Sequence, residues 1–483
     1  MSASNWAVVV HSVACILISI RVIMRRPSAG VALAWLFVVL SLPFVGTIGY
    51  LLVGERRISL RRAKRISDLR VNYDRLADQV IQDGLTDVDW PKHSQDAIAL
   101  NTLGLRMFGV PTVKGCSGQL YSNTEEILKQ IAADVRGAQK SVLMEFYIWN
   151  MGGLADDVLA ALEEAAQRGV SVRLLVDAIG GSHWWKSDQP NRLRAAGVKV
   201  KSALPTGLLR ILTSRNDLRL HRKIVVIDGK VAWTGSMNLV DPRYFKQDKN
   251  VGEWIDAMVR AEGCVVAPLA MTMIGDWMLE TGESIDEIMR SADLSLISPK
   301  GDADVQVIPS GPGETDDGLL QMLLSIINSA DKELILTTPY LVPDESLLRA
   351  LRGAAARGVD VKLILPRKVD SMLTRYASRS YYDELMGVGV KIYLYGKGLL
   401  HTKSITADRS ISTFGTVNLD MRSIWLNYEV TLFVYGEHFG ENLAQLQNSY
   451  IADSMQLNPQ TWAQRSIHQK FLENTFRLIG PVL

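Results

Sequence analysis

The sequence predicts an α/β protein made of two pseudo-symmetric α/β sandwich repeats, with a transmembrane helical hairpin in front of them. Three observations carry that expectation. The pattern HxKxxxxD occurs twice, as His221, Lys223 and Asp228 and again as His401, Lys403 and Asp408. Each copy is followed at matched spacing by glycine, a hydroxyl residue and asparagine: Gly235, Ser236 and Asn238, then Gly415, Thr416 and Asn418. The strand and helix pattern around both copies repeats as well, and two apolar stretches open the chain. A length of 483 residues leaves room for two such halves plus accessories.

Residues 1–56 read as the hairpin. Residues 6–23 are apolar apart from Arg21, and residues 31–53 carry no charge. The second stretch is long enough to cross a bilayer, for which roughly 20 apolar residues suffice. Trp6, Trp35 and Tyr50 suit the interfaces, while Pro43 and Gly46 are places for a kink or break, so a re-entrant shape stays open. The leading MSASN has no positive charge, and a second apolar segment follows at once, which argues against a cleaved signal peptide. Residues 57–110 read as a basic juxtamembrane linker. Arg56, Arg57, Arg61, Arg62, Lys64 and Arg65 outnumber Arg25 and Arg26 of the connecting loop, so the positive-inside rule puts the bulk of the chain in the cytoplasm. The cluster suits anionic headgroups at about 1 kcal/mol per charge, or it is a solvated helix face.

The first repeat is set at 111–298 and the second at 299–455, with a helical tail over 456–483. In the first, an apolar strand (141–149) leads to a helical pattern (155–167), Arg168-Gly169-Val170 and a strand (172–176). The second has the same series at 332–342, 344–356, Arg357-Gly358-Val359 and 361–365. Both continue to Gly-Val-Lys and another strand, at 197–200 and 389–392, before the motif. Alternation of this length implies a mainly parallel sheet with helices on its faces. The first repeat carries an extra segment, 206–215, whose Leu-rich, Arg-bearing composition fits either a lipid interface or packing on its own domain.

LHRKIVVIDG reads as a strand closed by an Asp-Gly turn, and LLHTKSITADRS repeats it. Side chains two apart on a strand share a face, so His221 and Lys223 point together while Arg222 points away. Asp228 and Asp408 sit at the turns and read as structural members of the signature. A phosphodiester needs positive charge around its oxygens, an in-line nucleophile and an acid for the leaving alcohol. Lys223, Lys403, Asn238 and Asn418 can hold the oxygens, and one imidazole can attack phosphorus while the other moves the proton. Each ring then needs a carboxylate on its second nitrogen, for which Asp256 and Glu429 are the candidates. Ser236 and Thr416 fit either bracing of the loop or contact with the site. His11, His93, His183, His438 and His468 lack repeated context and read as surface or structural residues.

A net charge of +2 argues against bulk nucleic-acid binding. Cys15, Cys116 and Cys264 are odd in number and lack metal or redox spacing, which fits small apolar residues in a reducing compartment. There is no GxxxxGK[ST] loop, no DGxxAR run and no acidic cluster that calls for a metal, so no metal and no cofactor are expected.

From about residue 110 onward these features resemble the phospholipase D superfamily, whose signature is HxKxxxxD followed by GSxN or a close variant. LHRKIVVIDGKVAWTGSMN, TTPYLVPDESLLRAL, ASRSYYDELMGVGVKIYLY and FGTVNLDMRSIWLNYEV narrow the likeness to bacterial cardiolipin synthases, as does the N-terminal hairpin. That resemblance implies phosphatidyl transfer from one phosphatidylglycerol to another, giving cardiolipin and glycerol at the bacterial inner membrane. It implies one motif histidine as covalent carrier, His221 by analogy, and the other as acid then base. Thr416 stands where serine is usual. The alternative is a phospholipase D-type hydrolase of phospholipid headgroups.

Overall fold

The computed structural model describes residues 3–25, 29–55, 58–207, 215–292, 298–315, 317–478 and 480. The chain divides into two compact units, one of Met1–Lys64 with Thr206–Asp217, the other of Arg65–Pro205 with Leu218–Leu483.

In the first unit, the helix Ala3–Arg25 is long and apolar enough to cross a membrane. The second apolar stretch is two helices, Ala29–Ser41 and Val45–Val53, rather than one continuous span. The break falls at Pro43, whose ring and missing N–H end a helix, and Phe44 takes a left-handed φ of 60°. A Cβ on Gly46 would lie 2.3 Å from the Val38 carbonyl oxygen, so the two short helices turn back on each other only because glycine stands there. Cys15, Ile18, Val22, Val39 and Tyr50 are buried between the helices, while Leu17, Leu33 and Phe37 remain exposed. Glu55 joins the ends, accepting from Arg21 at 2.5 and 2.8 Å and from the Tyr50 hydroxyl at 2.6 Å. Arg215 donates to the Val53 carbonyl at 3.1 Å. Arg26, Arg56, Arg57 and positions 208–214 of the Leu-rich segment lie outside the described residues.

The second unit is built on one large sheet with two short two-stranded sheets beside it. The first repeat supplies β1 (Val113–Tyr121), β2 (Ser141–Phe146), β3 (Ser171–Asp177), β4 (Lys199–Ala203), β5 (Arg219–Leu220), β6 (Ile224–Ile227), β7 (Val231–Gly235), β8 (Trp254–Ile255) and β9 (Met258–Gly263). The second supplies β10 (Ala303–Ser310), β11 (Glu333–Thr337), β12 (Leu341–Val342), β13 (Asp360–Pro366), β14 (Lys391–Tyr395), β15 (Leu399–Leu400), β16 (Ser404–Ala407), β17 (Ile411–Gly415), β18 (Leu419–Asp420), β19 (Asn427–Tyr435) and β20 (Ser454–Gln456). The order β4-β3-β2-β6-β7-β9-β1 is mirrored by β14-β13-β11-β16-β17-β19-β10, and the antiparallel pair β1·β10 joins the halves.

Within each repeat, the parallel runs of the large sheet are β2-β3-β4 and β11-β13-β14, which are linked by crossover helices such as Leu154–Gln167 and Glu345–Ala356. The motif hairpins and the strands that return from them are antiparallel, as short turns require, so the sheet is mixed rather than mainly parallel. Apolar helix faces cover it: Ile127, Ile131, Val158 and Leu162 pack on the first repeat, and Leu323, Ile327, Leu347 and Leu351 on the second. The helices Leu60–Gln82 and Gln95–Phe108 also contribute, burying Val80, Ala97 and Leu100. The matched glycines follow from crowding by the neighbouring strand. A Cβ on Gly235 would meet the Ala257 carbonyl oxygen at 2.5 Å, and one on Gly415 the Val430 oxygen at 2.3 Å.

Candidate active site

The histidine segments are not continuous strand. His221–Lys223 and His401–Lys403 fall between short strands, because each motif is paired with two different halves of the molecule. β5 runs parallel to β19 of the second repeat, and β15 runs parallel to β8 of the first, whereas β6 and β16 pair within their own repeat. One strand register cannot serve both partners, so the chain breaks where the histidine sits. Each histidine amide then donates across the pseudo-twofold, His221 to the Tyr428 carbonyl at 2.9 Å and His401 to the Ile255 carbonyl at 2.8 Å.

The rings cross over in the same way. His221 Nδ1 lies 2.8 Å from Glu429 Oε2, and His401 Nδ1 lies 2.7 Å from Asp256 Oδ1. Each carboxylate therefore orients the histidine of the other repeat and leaves its Nε2 for chemistry. Ser236 donates to Asp256 Oδ1 at 2.6 Å. Thr416 lies beside Glu429 and braces the neighbouring Val430, donating to its carbonyl at 3.2 Å and accepting its amide at 2.9 Å. The hydroxyl residues brace the carboxylate-bearing segments and do not line the cavity.

Asp228 and Asp408 lie at the far ends of the motif strands. Asp228 accepts the amides of Gln139, Lys140 and Ser141 at 2.9, 2.7 and 2.9 Å, and Asp408 those of Asp331, Lys332 and Glu333 at 2.7, 2.9 and 2.8 Å. Both have left-handed φ values, 51° and 49°. They close the hairpin turn and start β2 and β11.

His221, His401, Asn238 and Asn418 share one cavity of about 260 Å³. Asn238 Oδ1 accepts the Ile148 amide at 3.2 Å, whereas Asn418 Oδ1 is buried without a partner among the described residues. Lys223 and Lys403 are buried beside the cavity rather than on its wall, each ammonium donating to the carbonyl of its own motif histidine. Burial pushes His221 and His401 down to about 4, against the pull of Glu429 and Asp256, and both lysines add to the lowering. Burial also lowers Lys223 to about 8 and Lys403 to about 7. Burial works to raise Asp256 and Glu429, but the facing imidazoles and lysines outweigh it and hold both carboxyls below their ordinary range. Two neutral rings, each on a carboxylate, thus face one cavity with Lys223 and Lys403 beside them.

Arg222 points the other way, as its place between the two motif residues implies. It donates to the Glu429 carbonyl at 2.8 Å and to Asp276 and Glu314 at 2.6 and 2.8 Å. The cavity wall also holds residues that the sequence reading did not single out. Trp254 and Asn427, each two before an orienting carboxylate, hold matched places in the repeat, whereas Arg219, two before His221, has Leu399 as its counterpart. Tyr147, Lys246, Tyr340, Asp370 and Arg422 lacked such a signal. The Tyr147 ring lies 5.0 Å from His221 and that of Trp254 4.4 Å from His401. Among the described residues, no three His, Cys, Asp or Glu side chains gather into a group able to hold a metal ion.

A duplicated α/β half with crossed histidine and carboxylate pairs on one shared cavity defines a phosphatidyltransferase of the phospholipase D type. The solved phosphatidylserine synthase of Haemophilus influenzae shares the fold, with a TM-score of 0.60 at 16% identity over 80% of this chain and all of that one. A model described as cardiolipin synthase, PLD-like domain, matches residues 131–258 and 323–452, and one described as phospholipase D-nuclease N-terminal matches 13–55. Cardiolipin synthase A of Erwinia tasmaniensis is 43% identical over 477 residues, and that of Yersinia pseudotuberculosis serotype IB 42% over 466, each across 96% of both chains. The chain belongs to the cardiolipin synthase family, whose members are membrane-associated.

Proposed function

We propose that the chain transfers a phosphatidyl group from one phosphatidylglycerol to another, releasing glycerol and forming cardiolipin through a phosphohistidine and without a metal ion. The observation that carries this reading is the single cavity on which both histidines, each backed by a buried carboxylate, converge. His221 Nε2 attacks phosphorus, and the bond to the headgroup oxygen breaks as His401 protonates the departing glycerol. The hydroxyl of a second phosphatidylglycerol then gives its proton to His401 and attacks phosphorus, and the nitrogen–phosphorus bond breaks. One phosphodiester is exchanged for another, so no nucleotide is consumed. Burial alone leaves His401 neutral at pH 7, and the arriving diester, being anionic, favours its protonated form. Lys223 and Lys403 offset the charge that a metal would otherwise meet.

The lipid surface reaches this cavity past an apolar lip. Ser371 and Thr374 line the cavity, and the adjacent Met372 and Leu373 face outward. The helix Met372–Arg379 packs on Ile467–Leu478, where Tyr376 stacks on Phe476 and Ile467, Phe471 and Leu478 are more than two-thirds exposed. Anionic lipid is the partner, and the N-terminal helices hold the chain in the membrane with its bulk on the cytoplasmic side.

Product analysis on phosphatidylglycerol vesicles tests the reaction. Cardiolipin and free glycerol are expected in equal amounts, insensitive to EDTA. Phosphatidic acid without cardiolipin would make the protein a hydrolase, and EDTA inhibition reversed by a divalent ion would end the metal-free scheme. Labelled phosphatidyl trapped on His401 would reverse the two histidine roles.

A further inference from the structure

The pseudo-twofold fails at the cavity wall, and the way it fails separates two kinds of surface. Beside His221 the wall carries Arg219, Arg422 and Tyr147, which offer hydrogen-bond donors and positive charge. Asp370 stands close enough to His401 to interact with it electrostatically, and Ser371, Thr374 and Tyr340 line the same cavity. Lys246 ties this group to the ring, because its ammonium lies 5.0 Å from the centre of Trp254, which in turn packs on His401.

Both tying elements lie outside the repeat. Lys246 comes from the stretch between Asn238 and Asp256, which is longer than its counterpart between Asn418 and Glu429. Asp370 comes from the turn after β13. In the first repeat, the carboxylate at the end of β3, Asp177, is spent on the amides of Ile179, Gly180 and Leu220 at 2.9, 2.8 and 2.9 Å. Among the described residues, no backbone amide donates to Asp370. Its Oδ1 accepts from the Tyr340 hydroxyl at 2.8 Å and its Oδ2 from Lys246 at 2.9 Å, and each oxygen keeps a second lone pair. Its side chain is 10% exposed, and that exposure is toward the cavity that it lines. Ser371 Oγ accepts from the Thr374 amide and hydroxyl at 3.3 and 3.0 Å, so its own proton is available to a ligand.

We infer that Asp370, with Tyr340, Ser371 and Thr374, forms a diol-binding subsite that seats a glycerol headgroup against His401. The inference rests on the proposed transfer and adds its specificity determinant. A glycerol headgroup presents neighbouring hydroxyls, each needing an acceptor, and a fixed carboxylate with a hydroxyl donor beside it supplies the complement. Arginines supply only donors and suit the phosphate. The departing glycerol and the entering headgroup meet the acid and base at the same place, as reversal of one step into the other requires. Water, having no second hydroxyl to engage the subsite, is disfavoured as acceptor.

The test uses the full-length protein with cardiolipin vesicles and a choice of acceptors, glycerol giving phosphatidylglycerol and methanol giving phosphatidylmethanol. For the unaltered protein, glycerol use should far exceed methanol use. In Asp370→Asn the ratio of glycerol to methanol use should fall at least about tenfold, since a site built to bind hydroxyls discriminates through them. Tyr340→Phe and Ser371→Ala should move it in the same direction by less, and they carry the test should Asp370→Asn fail to fold. An unchanged ratio in folded variants, or equal loss for both alcohols, would reduce Asp370 to a structural residue and overturn the subsite. Absence of either product from the unaltered protein would instead overturn phosphatidyl transfer, and the subsite with it.

Discussion

A histidine becomes a nucleophile or an acid according to what holds its other nitrogen, and here that partner is a buried carboxylate for both rings. Replacing His401 with Ala should slow turnover by about 10²–10⁴-fold, the usual contribution of a positioned acid, and His221→Ala should leave no covalent adduct. Asp256→Asn and Glu429→Gln should slow it by at least about 100-fold with the fold intact, because an amide favours the wrong tautomer. Steady-state rates and circular dichroism on the same samples check both statements. The rings also govern stability. They titrate near 4 in the fold and near 6.5 when unfolded, so the unfolded chain binds more protons between those values. Stability therefore falls as pH drops through that window. Lys403 and Lys223, at about 7 and 8 against an ordinary 10.5, act with the same sign between about pH 7 and 10.5. The melting temperature in detergent should fall from pH 6.5 to 4, and a His221→Gln, His401→Gln double variant should flatten that slope. An undiminished slope in the double variant would assign it to other groups.

At the scale of elements, the hairpins depend on their ends. Gly235→Ala and Gly415→Ala drive a Cβ into a carbonyl of the adjacent strand and should cost about 1–3 kcal/mol each in denaturant titration. Asp408→Ala strands three amides at the start of β11 and should cost a similar amount. The hairpins, the paired strand-helix-strand runs and the candidate carboxylates Asp256 and Glu429 were all legible from residue pattern. The exchange of carboxylates between repeats was not. Periodicity describes a strand but not which strand lies beside it, and LHRKIVVIDG reads as one strand although its first residues are claimed by the other half. The parallel sheet was overestimated for the same reason, since every short turn adds an antiparallel neighbour. Pro43 marked the break in the second apolar segment because its backbone chemistry is local.

For the whole molecule, the proposed reaction requires a lipid to deliver its headgroup to a polar cavity. Met372→Ser with Phe471→Ser should weaken binding of the protein without its first 64 residues to phosphatidylglycerol vesicles by about tenfold in a flotation assay. Unchanged flotation would remove the lip from the membrane contact. Lys246 and Asp370 were invisible to a reading built on repetition, because they stand where the halves differ. Matched residues disclose the shared chemistry, and unmatched ones disclose how its two ends are told apart.

The exchanged carboxylates have a consequence for how such a chain can be divided. A half-length fragment keeping its full signature would still lack the acid that tunes its ring, and could recover it only by finding a complementary fragment in solution, with a rate that falls on dilution. Joining both halves in one polypeptide makes that meeting intramolecular, so output per molecule is independent of concentration.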